Sequence, residues 1–148
     1  MPPQPIPDEH HVSRHVKNKL IYPTLNGERR VDSLAFRLRP DEIYVSVDWV
    51  EYFQGDLRQQ LDTIRNVLIN LRRFNIKKNS ALAVVNVYEI KAAGQKGGCE
   101  LSVLNLGNQY DPSHSGIYGL PQNPDDEFIL EEIAIHARVE DAWSNPPT

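Results

Sequence analysis

The chain is poor in the residues that mark many functional classes. It has a single cysteine, Cys99. An internal disulfide is therefore excluded, and a lone cysteine points to a reducing compartment. No apolar run approaches the ~20 residues that span a bilayer. The start, Met1-Pro2-Pro3-Gln4-Pro5-Ile6-Pro7, holds neither a basic nor an apolar stretch, so no signal peptide is read there. A cytoplasmic location with no membrane partner is the expectation. There is no C-x-x-C pair, dinucleotide fingerprint or iron–sulfur spacing, so no metal and no cofactor is called. Gly94-Gln95-Lys96-Gly97-Gly98 lacks the G-x-x-x-x-G-K-[ST] order of a phosphate loop. It reads as a flexible turn, and Cys99 as an inert core residue.

What remains is ordinary globular composition, 40% hydrophobic and 24% charged, over a length that suits one domain. Prolines crowd residues 1–9, which read as an extended mobile tail. Residues 144–148 read as its counterpart, leaving a single domain over 10–143.

Charge is segregated. Residues 10–39 carry seven Lys/Arg against two acids, and residues 56–78 carry six against two. Residues 40–55 carry four acids and no base, and residues 125–143 seven acids against one base. Such runs are solvated faces, or a basic surface that draws an anion. The isoelectric point of about 5.7 argues against a dedicated nucleic-acid binder.

Period-two alternation over 33–39 and 43–49 predicts a hairpin turning at Pro40-Asp41. In that register Phe36 faces Val45 and Leu34 faces Val47. The polar face then carries Arg37, Arg39, Ser46 and Asp48. Leu57, Leu61, Ile64, Val67, Leu68, Leu71 and Phe74 recur at helical spacing. Asp56 is the expected N-cap, with Gln59 as its capping-box partner. Arg58, Arg65 and Arg72 are seven apart and predict one solvent-facing stripe, a docking site for an acidic protein partner. Ala81–Lys91 reads as a central strand and Cys99–Leu106 as its hairpin partner. Residues 107–125 read as a long loop. Residues 126–143 fit both helix and strand, and the acidic start at Asp125-Asp126-Glu127 favours helix. The expected fold is α+β, a two-layer sandwich of mainly antiparallel sheet with helices on one face.

Three clusters suggest chemistry. His10, His11 and His15 lie together, and His11 and His15 would have zinc-ligand spacing on a helix, with Asp111 or His114 completing a site. The zinc peptidase pattern needs a glutamate after the first histidine, and Val12 stands there. His11-Val12-Ser13 also resembles half of the paired H-x-[ST] motif of two-histidine phosphoesterases, but the second copy is missing. Asp111-Pro112-Ser113-His114-Ser115-Gly116 puts a carboxylate, an imidazole and two hydroxyls in one loop. It reads as a turn held by Asp111 and Ser113, or as one wall of a pocket. Arg37 with Ser46 resembles the ADP-ribosyltransferase layout, whose catalytic glutamate would have to be Glu89 or Glu100.

His11-Val12-Ser13-Arg14, Ala35-Phe36-Arg37-Leu38-Arg39, Val45-Ser46-Val47-Asp48-Trp49 and Asp111-Pro112-Ser113-His114-Ser115-Gly116-Ile117 together carry a further resemblance. The chain resembles a small group of bacterial proteins with no assigned activity. That implies a bacterial cytoplasmic protein and transfers no catalytic role.

With no complete catalytic constellation, the leading expectation is a non-enzymatic binding or accessory module of a multi-component system. The rival is a small enzyme on a phosphate-bearing or nucleotide substrate. There His11 or His114 would be acid/base and Arg14, Arg37 and Arg39 anion clamps, with Ser46, Asp111 and Ser113 beside them.

Overall fold

The structure, a computed structural model, describes residues 2–122 and 127–144. In chain order it has β1 (Gln4–Pro5), β2 (His11–Val16), β3 (Ile21–Pro23), β4 (Arg29–Val31) and β5 (Tyr44–Trp49). Then come α1 (Leu57–Asn70), β6 (Ala81–Asn86), α2 (Val87–Lys96), β7 (Ser102–Asn105), β8 (His114–Tyr118), α3 (Phe128–His136) and β9 (Arg138–Asp141). Seven strands form one sheet in the order β1-β7-β8-β5-β2-β6-β9, and β3 with β4 forms a separate ribbon. Every pairing is antiparallel. The class is α+β with a mainly antiparallel sheet, as expected.

The predicted hairpin over 33–49 does not form. Asp32 accepts a hydrogen bond from the Leu34 amide at 2.9 Å and starts a 3₁₀ turn over Ser33–Phe36. That turn buries Ala35 and Phe36 and leaves Leu34 exposed. The alternation of 43–49 is real. Val45 and Val47 face the main core, but β5 pairs with β2 and β8, not with the chain just before it. The second hairpin fails too. Asn86 ends β6 and caps α2, its side chain accepting from the Glu89 amide. Ala81–Asn86 is central as read, lying between β2 and β9.

β6 is apolar on both faces because both are covered. Ala83 and Val85 join the core under α2 and α3, while Leu82 and Val84 join a second cluster with Leu61, Ile64 and Leu68 of α1. Thus α2 and α3 share one face, and α1 covers the other near β6. The expected loop 107–125 contains β8, a strand between β5 and β7. Of the stretch 126–143, the described part satisfies both readings in turn, helix over Phe128–His136 and then strand over Arg138–Asp141. Asp125 and Asp126 lie outside the described residues, as do residues 145–148 of the expected C-terminal tail. The Pro-rich start is extended and docked: Gln4 and Pro5 pair with β7, and Ile6 is buried.

Candidate functional site

The sheet has an open seam. β2 pairs with β6 along its whole length, from His11 to Val16. It pairs with β5 only at Val12–Trp49 and Ser13–Asp48. From Arg14 onward β2 and β5 part. Arg14 fills the split, donating to the carbonyls of Ala35 and Ser46 at 2.5 and 2.7 Å. A cleft of about 1380 Å³ opens there, lined by β2, the 34–42 segment, β5 and the end of α1. Both basic segments of the sequence reach it.

Its charge is one-sided. Lys17, Lys19, Arg37, Arg39 and Lys77 line it. None of the five is in an ion pair among the described residues, whereas Arg29, Arg30, Arg58, Arg65, Arg72, Arg138, Lys91 and Lys96 all are. Among the described residues two acids also line the cleft. Glu42 accepts from the Arg39 amide, and Asp48 is taken by Arg72.

Two polar atoms inside lack partners. Ser13 is 1% exposed, yet among the described residues its Oγ has no hydrogen-bond partner, and the buried His15 Nε2 has none either. Burial lowers the His15 pKa, and the nearby Lys17 and Arg14 lower it further, so its ring is held neutral. Phe74 stands beside it, ring centroids 6.1 Å apart.

Arg72 closes one end of the cleft. It donates to both oxygens of Asp48 at 2.6 and 3.0 Å and to both of Asp111 at 2.8 Å. Ser113, fully buried, donates its hydroxyl to Asp48 at 3.0 Å. Burial pushes the Asp48 carboxyl up, against the pull of Arg72 and Ser113. Burial opposes the Arg72 charge, but its bonds to Asp111 and Asp48 outweigh that and raise its pKa.

The residues singled out in the sequence divide accordingly. Arg14, Arg37, Arg39 and Ser46 do line one cleft. Asp111 and Ser113 belong to the Arg72 network beside it. Neither His11 nor His114 lines it. His11 Nδ1 sits 2.6 Å from Glu51 Oε2, and the His114 ring lies 6.0 Å from that of Tyr44. His10 Nδ1 accepts from the Trp49 indole at 3.0 Å. Among the described residues no three His, Cys, Asp or Glu side chains are grouped to hold a metal ion, so the zinc alternative does not assemble. Glu89 lies on α2, 3.4 Å from His136, and Glu100 precedes β7, so neither supplies the strand glutamate of the ADP-ribosyltransferase layout.

The arginine stripe is a correction. Arg65 is 9% exposed, pairs with Asp62, and lies 4.6 Å over the Trp143 ring. Arg58 pairs with Asp62 and donates to the Asp141 carbonyl, and Arg72 is held as described. All three bind their own chain, so the acidic partner expected on that stripe gains no support. Sequence reasoning missed Phe74 and Lys77 as site residues, whereas Ser13, Lys17 and Lys19 entered it as neighbours of the histidine cluster, whose mixed His, Arg and Lys donors suit an anion. The charge count of segments 10–39 and 56–78 was the signal that held the lysines.

Comparison with protein-family models, curated proteins and solved structures found no match. Function therefore rests on the geometry. No helix among the described residues is long and apolar enough to cross a membrane.

Proposed function

We propose that this chain is a non-enzymatic binding module whose β2–β5 cleft receives a phosphate-bearing small molecule. The observation that carries the reading is the set of five cations around one cleft that have no ion pair among the described residues. Cations left unpaired on one concave surface raise the local concentration of anions. Arginine presents a planar fork of donors that matches phosphate geometry, and Arg37 and Arg39 supply two such forks. The acid/base pair of the rival enzyme reading, His11 and His114, lies outside this cleft.

The test is calorimetric titration of the full chain with ribose 5-phosphate and inorganic pyrophosphate at low salt. At least one should bind, and affinity should fall as salt is raised. The double variant Arg37→Glu, Arg39→Glu should lose tenfold or more while its unfolding midpoint stays put. Unchanged affinity in that variant, or no binding of either probe, overturns the proposal.

A further inference from the structure

We infer that the ligand of this cleft is a nucleoside phosphate, its base seated against Phe74 and its phosphate on Arg37 and Arg39. This rests on the anion-binding reading above and names the ligand class for that site. Three features ask for more than an anion.

The first is size. The cleft is about 1380 Å³. Small-molecule sites run to roughly 300–1,000 Å³, so a lone phosphate would leave most of it to solvent.

The second is an aromatic wall. Phe74 lines the cleft and is 44% exposed. Its place is set by the end of α1. The Phe74 amide donates to the Leu68 carbonyl at 2.9 Å across Arg73, whose φ is 62°. Helices commonly end through one left-handed residue, and glycine is the usual occupant. An arginine there costs local strain, and the outcome holds a large apolar ring at the cleft and not in the core. One side of that ring meets His15, which is tilted against it at 58°. Bases stack on such rings with little regard to sequence, because every base has a π-face.

The third is the orphan pair. Ser13 Oγ and His15 Nε2 are buried, line the cleft and have no hydrogen-bond partner among the described residues. A buried polar atom without a partner is costly, so native chains rarely keep one without reason. A hydroxyl and a neutral imidazole nitrogen match the edge of a base or a ribose hydroxyl. An inorganic anion uses only the cations, and a sugar phosphate adds only the orphan atoms. A nucleoside phosphate alone uses cations, orphan atoms and ring together.

The experiment titrates the full chain with AMP, GMP, CMP and UMP beside ribose 5-phosphate. At least one nucleotide should bind tenfold or more tighter than ribose 5-phosphate. Phe74→Ala should abolish that preference and leave ribose 5-phosphate affinity unchanged. Phe74→Leu, which keeps apolar bulk against His15, should lose the preference as well. If ribose 5-phosphate binds as tightly as every nucleotide, the base assignment fails while the anion reading stands. If no phosphate-bearing probe binds, the anion reading itself fails. Equal losses for sugar phosphate and nucleotide in Phe74→Leu would make Phe74 a structural residue and overturn its role. Affinity that climbs steeply with oligonucleotide length would replace the mononucleotide by a strand and overturn the ligand class.

Discussion

Arg72 shows how much one side chain can decide. It stands just beyond α1, between a buried carboxylate and a half-open one. Asp48 is 4% exposed, and its remaining partner is the Ser113 hydroxyl. Bringing such charges out of water is expensive, and the pair is tolerable because every oxygen is hydrogen-bonded. Arg72→Met would leave Asp48 buried and unpaired. The expected loss is about 3–5 kcal/mol, read from the urea midpoint at pH 7. Adding Asp48→Asn should return part of that loss, because the uncompensated charge is gone. A loss under about 1 kcal/mol would mean that the pair is screened and adds little. The same four-residue set ties β5, the end of α1 and the segment before β8 together, and so shapes one end of the cleft.

At the scale of elements, α1 is the case where local rules suffice. Leu57, Leu61, Ile64 and Leu68 fall on one face and pack against Leu82 and Val84. Both capping-box bonds are present. The Gln59 amide donates to Asp56 at 2.9 Å, and the Asp56 amide donates to the Gln59 side chain at 2.8 Å. Asp56→Ala removes the side-chain acceptor of the Gln59 amide and keeps the backbone amide that bonds the Gln59 side chain, so it should cost about 1 kcal/mol in thermal or urea unfolding. No change would show the cap to be idle. The α2 region is the opposite case. Gly94 invites a turn reading, yet it lies inside the helix. A Cβ there would come within 2.6 Å of Leu101 Cγ and 3.0 Å of the Cys99 carbonyl. The glycine serves a close approach of the chain that follows, not flexibility.

Across the whole molecule, the N-terminal segment closes one edge of the sheet. Ile6 donates its amide to the Val103 carbonyl at 3.0 Å and is 3% exposed. Asp8 pairs with Lys91 at 2.9 Å, and its carbonyl accepts from the Tyr88 amide. Without this segment β7 would present an unpaired edge, the kind that recruits other chains. Its prolines fit the outer strand, where a missing N–H faces away from the ladder. Ile6→Ala should destabilise by about 2–5 kcal/mol in chemical unfolding. An unchanged midpoint would show that residues 1–9 add nothing to the fold, as a mobile tail would.

The sequence by itself determined what depends on near neighbours. It determined α1 with its cap, the in–out alternation of β5, the buried central character of β6, the α+β class and the concentration of positive charge in two segments. Arg14, Arg37, Arg39 and Ser46, which line the cleft, were legible as a polar group because charge and polarity belong to each residue wherever it lands. Tertiary structure alone decided which strands are neighbours. β5 seeks β2, some 36 residues away at Ser13–Asp48 and Val12–Trp49, and not the segment before it. β8 hides in a stretch of serine and glycine whose small side chains suit burial between β5 and β7. The seam between β2 and β5, the orphan Ser13 and His15, and the arginines turned inward at 58, 65 and 72 follow from those pairings. Helical and strand periodicity are local, whereas pairing and burial are set by residues far apart in the chain, and the cleft is made of the latter.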